Sequence, residues 1–83
     1  MKKVVIYSTP TCTYCHAAKD FFTQNGVEYT ELDVAADLAA RADMVTKSGQ
    51  MGVPVIDIEG AIIVGFDEGR IKDALEEDTK MAA

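Results

Sequence analysis

Cys12 and Cys15 are the only cysteines of the chain, separated by Thr13 and Tyr14 alone. Three residues is about one helical turn, so on a helix the two sulfurs share a face. That spacing suits a disulfide, whose Cα atoms usually lie within about 7 Å. Such a pair can staple a fold, supply half of a zinc site, or cycle between dithiol and disulfide. A staple closing so short a loop removes little chain entropy. Zinc wants four ligands, and His16 is the one histidine present. The pair is therefore read as redox-active, with no metal.

Cys12 is expected at the start of a helix, where backbone N–H groups lack partners and the dipole is positive. A thiolate is stabilised there. Cys12 is thus the expected nucleophile and also a good leaving group when a second thiol displaces it. Cys15, one turn further in, is shielded and resolves the mixed disulfide that Cys12 forms with a substrate. Lys19 lies one turn beyond Cys15 and is read as a solvated surface lysine. His16 either tunes the cysteines or faces solvent. Tyr14 is assigned to the rim of the site, since an aromatic in so tight a loop has little core to enter.

A second constellation is Gly49-Gln50-Met51-Gly52-Val53-Pro54-Val55. A proline is tolerated as the first residue of a strand. Trans is the majority state of X–Pro bonds. A cis bond at Val53–Pro54 would turn the Val53 backbone towards the cysteines, leaving its N–H and C=O open to an extended peptide.

Strands and helices must place these residues. Lys3 to Ser8 is a short apolar, β-branched run, the pattern of a buried strand. Thr13 to Asn25 is a helix with Ala17, Ala18, Phe21 and Phe22 on its apolar side, stopped by Asn25-Gly26. Val27 to Asp33 alternates as a second strand. Ala36 to Ser48 reads as a helix with Leu38, Ala42 and Val45 on one face, ended by Gly49. Val55 to Ile58 and Ala61 to Val64 form a hairpin around Glu59-Gly60. Asp67 to about Glu77 is a last helix, capped by Asp67 and buried through Ile71, Ala74 and Leu75, with a frayed end after Glu76. The order β-α-β-α-β-β-α requires a parallel first crossover and an antiparallel hairpin. One four-stranded mixed sheet with helices on both faces satisfies both, an α/β fold with the cysteines at a carboxyl edge of the sheet, where sites usually form.

With 83 residues, one domain over residues 1–83 is expected. Residues of apolar type make up 48% and the net charge is −6, enough for a core and unfavourable for nucleic acid or an anionic membrane surface. The apolar run after Met1-Lys2-Lys3 is too short for a signal peptide. A monomeric cytoplasmic protein follows as the expectation, and there a cysteine pair cycles rather than staying oxidised.

Together, Tyr7 to Thr11 leading into Cys12-Thr13-Tyr14-Cys15-His16, then Gly52-Val53-Pro54, then Gly65-Phe66-Asp67, resemble a glutaredoxin of the thioredoxin superfamily over essentially the whole chain. The resemblance implies a thioredoxin fold, a cis Pro54 beside the catalytic Cys12 and Cys15, and a groove for glutathione or an extended peptide. Thr13, Tyr14, Gly52, Val53, Pro54, Gly65, Phe66 and Asp67 would line it, with Asp67 meeting the γ-glutamyl amine. No cofactor is expected to be tightly bound; glutathione is the implied co-substrate. Thr13 stands where glutaredoxins carry proline, Thr9 where a carboxylate-binding lysine is usual, and Gly52 where threonine is usual. Lys47 and Gln50 are assigned as partial substitutes across the groove. These departures, with Gly65-Phe66, are similar to NrdH-redoxins, which take electrons from a flavoprotein of the thioredoxin reductase type. The implied activity is dithiol–disulfide exchange on client proteins or glutathione mixed disulfides. Glutathione and such a flavoprotein both stand as donors. The alternative from another class is an iron–sulfur cluster held between two chains by Cys12 and glutathione.

Overall fold

The computed structural model describes the backbone of residues 3–82 and the side chains of residues 3–75. The elements are β1 (Val4–Ser8), α1 (Thr13–Gln24), β2 (Thr30–Asp33), α2 (Leu38–Ser48), β3 (Val55–Ile58), β4 (Ala61–Val64) and α3 (Glu68–Ala82). They form one four-stranded sheet in the order β2-β1-β3-β4. β1 and β2 are parallel, with Ile6 opposite Glu31. β3 runs antiparallel to both β1 and β4. The expected order and the mixed sheet are both present.

Alternation along β1 divides the core between the two faces, because successive side chains point to opposite sides of a strand. Val4 and Ile6 join Ala18, Phe21 and Phe22 of α1 and Ile71 and Ala74 of α3. Tyr7 joins Ala40 and Met44 of α2, together with Val34 and Val55. Helices therefore cover both faces, α1 and α3 on one and α2 on the other. Burial of Phe21 and Phe22, edge-to-face at 5.9 Å, contributes about 1.5–3 kcal/mol for each ring.

Several boundaries and one helix face depart from expectation. β2 begins at Thr30 rather than Val27, pairing on one side only with β1. β3 begins at Val55 as expected, so Pro54 precedes the strand. α3 continues to Ala82, past Glu77. In α2 the buried residues are Ala40 and Met44, whereas Leu38 is 73% exposed and Ala42 is exposed too. Ala40 and Met44 are one turn apart, and Leu38 and Ala42 each lie two residues from Ala40, about 200° round the helix. The alanine-rich sequence allowed either stripe, and the fuller side chain of Met44 fills the sheet face. Asp37 caps this helix by accepting from Ala40 N–H at 3.1 Å.

Two turns depend on left-handed backbone. Gly49 ends α2 at φ 73°, its N–H donating to Val45 O at 2.8 Å. The β3–β4 hairpin turns at Glu59 and Gly60, with φ of 50° and 95°, the paired positive values of a tight two-residue hairpin.

Candidate functional site

The site begins where β1 stops. Cys12 has extended backbone geometry and is the N-cap of α1; its Sγ accepts the Cys15 N–H at 3.2 Å. A sulfur thus takes the role an Asp or Ser oxygen usually plays at a helix start. Negative charge on Cys12 Sγ gains from that N–H and from the positive end of the α1 dipole. As a thiol, Cys12 Sγ also donates towards Val53 O at 3.8 Å. Cys12 is partly exposed, and Cys15 is completely buried. Both are free thiols, the reduced state. Burial pushes the Cys15 thiol up to about 12, and the hydrogen bond and charge of Cys12 push in the same direction.

The Val53–Pro54 bond is cis, and the Val53 carbonyl faces Cys12. Among the described residues the Val53 N–H has no hydrogen-bond partner. Pro54 is buried, and its carbonyl accepts from Gly65 N–H at 2.8 Å. That bond brings Gly65, Phe66 and Asp67 to the Val53–Pro54 segment. Phe66 is half-buried, its ring edge-on to Phe21 at 6.0 Å, so it anchors this segment to the core. Asp67 Oδ1 accepts from Arg70 N–H at 3.1 Å, capping α3, and the residue is exposed. Thr13 and Tyr14 open α1 on the surface, and Tyr14 is 66% exposed, at the rim. His16 is exposed, its Nε2 3.0 Å from Pro10 O.

Two assigned residues are placed elsewhere. Lys47 donates to Tyr7 Oη at 3.0 Å and Asp57 Oδ2 at 2.9 Å, and it lies 3.3 Å from Asp43 Oδ2. These partners hold its ammonium against the α2 face of the sheet and raise its pKa, the Tyr7 hydroxyl contributing most. Gln50 folds back on its own loop: Nε2 donates to Gly52 O at 3.1 Å and to Ser48 Oγ at 3.2 Å, and Oε1 accepts the Gly52 N–H. Both side chains are committed locally because nearer partners satisfy them.

Another cation does line a cavity beside Val53. A cavity of about 260 Å³ is lined by Thr9, Arg41, Met51 and Val53, among others. Val53 links this cavity to the cysteines, since its carbonyl lies 3.8 Å from Cys12 Sγ. Among the described residues the Arg41 guanidinium has no ion-pair partner. Sequence patterning missed Arg41, because it lies remote from the cysteines along the chain. An arginine two residues before an acidic one on a helix reads as an ordinary solvated face. Lys19 is also not the solvated lysine expected: its Nζ donates to Glu31 Oε2 at 2.8 Å, and only 19% of the side chain is exposed.

A buried and a partly exposed cysteine thus stand at the head of the first helix, facing a cis-proline loop, on a thioredoxin fold. The glutaredoxin family model matches residues 4–63. Glutaredoxin 3 of Escherichia coli is 39% identical over 74 residues, covering 89% of each chain. A glutaredoxin-like 8.6 kDa protein from the rubredoxin operon of Clostridium pasteurianum is 41% identical over 73 residues, 88% of this chain and 97% of that one. In structure, a mutant thioredoxin-like protein superposes with a TM-score of 0.84 at 33% identity, over 92% of this chain and 97% of the other. The NrdH-redoxin of Escherichia coli shares the fold, with a TM-score of 0.75 at 24% identity over 84% and 91% of the two chains. The chain belongs to the glutaredoxin family. No helix among the described residues is long and apolar enough to cross a membrane.

Proposed function

We propose that the protein is a dithiol–disulfide oxidoreductase in which Cys12 is the nucleophile and Cys15 the resolving thiol. The observation that carries this is the asymmetry of the pair: Cys12 Sγ is partly exposed and capped by a helix amide, while Cys15 has no exposed surface. The Cys12 thiolate attacks a substrate disulfide R–S–S–R′, forming Cys12–S–S–R and expelling R′–S⁻. Cys15 Sγ then attacks Cys12 Sγ, giving the Cys12–Cys15 disulfide and R–S⁻, which takes up the proton Cys15 gave up. Two electrons have passed from the dithiol to the substrate. A thiol donor returns them, and glutathione is the donor the groove favours.

Glutathione offers an amine and two carboxylates around a cysteine. Val53 N–H and C=O face the substrate backbone, Asp67 meets the amine, and Arg41 takes the far carboxylate in place of the cation missing at Thr9. Tyr14 and Met51, 66% and 56% exposed, form the rim against protein clients.

The test is turnover coupled to NADPH consumption, comparing glutathione plus its reductase with thioredoxin reductase alone. Cys12→Ser is expected to abolish turnover with either donor, and Cys15→Ser to accumulate mixed disulfides. Arg41→Ala is expected to raise KM for glutathione mixed disulfides about tenfold, the loss of about 1.4 kcal/mol from one charge-assisted contact, with kcat kept. Full activity in Cys12→Ser overturns the assignment of roles. Activity supported by thioredoxin reductase alone transfers the protein to the flavoprotein-linked group.

A further inference from the structure

Three elements meet one helical turn from Cys15 in a chain of hydrogen bonds that the redox step above does not use. Ser8 Oγ, at the end of β1, donates to Glu31 Oε2 of β2 at 2.7 Å. Lys19 Nζ, from α1, donates to the same oxygen at 2.8 Å. Ser8 is 1% exposed, and it is the one buried polar residue among those described. Ser8 follows Val4 and Ile6 on the α1 face of the sheet, and Glu31 sits opposite Ile6. Lys19 is four residues beyond Cys15, so their side chains stack one helical turn apart.

We propose that Lys19 is a positioning residue for the resolving step: held by Glu31 and Ser8 one turn from Cys15, its ammonium stabilises the negative charge that Cys15 Sγ develops while attacking Cys12. This rests on the roles proposed above for the two cysteines.

The reaction is Cys12–S–S–R plus Cys15–SH giving Cys12–S–S–Cys15 plus R–SH. The Cys15 proton passes to the departing thiolate, directly or through water, and no outside reductant or oxidant enters. The obstacle is the buried sulfur, whose thiol is held up to about 12 by burial first and by Cys12 second. In the mixed disulfide the Cys12 sulfur carries no charge, so its opposition disappears. Burial remains. A Thr9 backbone amide and Lys19 then act in favour of the Cys15 anion. The charged and titratable groups around this cluster are Cys12, His16 and Lys19 of α1, with Tyr29 and Glu31 from β2 and the segment entering it. Glu31 is the one that opposes the anion. It fixes the ammonium in place and partly cancels its field.

The two partners of the ion pair therefore have opposite electrostatic effects on one step, whereas a merely structural pair would fail together. An aromatic disulfide that releases a coloured thiolate twice separates the phases: first when Cys12 attacks, then when Cys15 displaces the second thiolate. Lys19→Met is expected to leave the first phase within about twofold, slow the second about tenfold at neutral pH, and move its pH profile up by about one unit. Glu31→Gln, whose amide oxygen still accepts from Ser8 and Lys19, is expected to move the second-phase profile down. Lys19→Arg is expected to behave like the parent. Shifts of the same sign in Lys19→Met and Glu31→Gln, or no shift in either, overturn the proposal. Should Lys19→Met not fold, a Glu31→Gln profile that stays in place, or a Lys19→Arg profile that moves up, overturns it as well. A first phase that survives in Cys12→Ser instead refutes the roles of the cysteines.

Discussion

Replacing Gly52 with threonine probes how the loop beside Cys12 is held. Gly52 does not have the positive φ that only glycine tolerates well, so the obstacle to a side chain is space alone. A Cβ added there stands 2.7 Å from Gln50 Oε1, too close for both to stay. Gln50 is the group that can move, being the end of a flexible side chain. Moving it breaks its two hydrogen bonds with Gly52 and the one with Ser48. At about 0.5 kcal/mol each in this water-accessible loop, the low end for a net hydrogen bond, the loss is about 1.5 kcal/mol. Removing a glycine from the unfolded chain returns about 0.4–1 kcal/mol. Gly52→Thr is therefore expected to destabilise by about 0.5–1 kcal/mol. In a Gln50→Ala background the obstruction is already gone, and the same substitution is expected to stabilise by about 0.4–1 kcal/mol. Urea unfolding of the four proteins in this cycle gives a coupling energy, expected near 1.5 kcal/mol. A coupling below about 0.5 kcal/mol, the scatter seen between independent sites, would refute the idea that Gln50 occupies the place of a side chain at Gly52.

Three further expectations follow from the same contacts. Lys47→Met removes the bonds to Tyr7, Asp57 and Asp43. Because a third of the lysine side chain is exposed, the expected cost is only about 1 kcal/mol in urea unfolding, and KM for glutathione should not move, since Lys47 lies away from the groove. Lys19, and after it Ser8, hold the Glu31 carboxyl below its ordinary value of 4.5. A lowered carboxylate gives stability that is present above that value and lost as pH falls through the folded one. The stability gap between parent and Glu31→Gln, followed by urea unfolding across a pH series, is thus expected to narrow on acidification below about pH 4.5; a gap independent of pH contradicts it. Finally, Cys15 is completely buried, so each chain offers a cluster only the partly exposed Cys12. Protein purified without oxygen is expected to show no visible absorbance from an iron–sulfur cluster. Absorbance that Cys12→Ser abolishes would restore the cluster-binding alternative.

The local features were legible because their causes are local. Phe21 and Phe22 follow the apolar spacing of one helix, Glu59-Gly60 marks its own turn, and Asp67 caps the helix that starts beside it. The departures occur where a residue had several possible partners. Leu38 and Met44 both offered α2 an apolar stripe, and the shape of the sheet face chose Met44. Lys19 and Lys47 both looked like solvated lysines or groove cations. Which carboxylates they meet depends on β2 and β3, far away along the chain.

What the sequence determined by itself was the order of the elements and the placing of two cysteines one turn apart at a helix start, since periodicity and capping act over a few residues. What only the tertiary structure decided was the environment of those sulfurs: Val53 opposite Cys12, Arg41 lining the cavity beside Val53, and Glu31, which also accepts from Ser8, holding Lys19 one helical turn from Cys15. Those contacts join residues as much as 41 positions apart. Side-chain hydrogen bonds and charges act over a few ångströms of space, and the packing of the sheet sets which groups come that close.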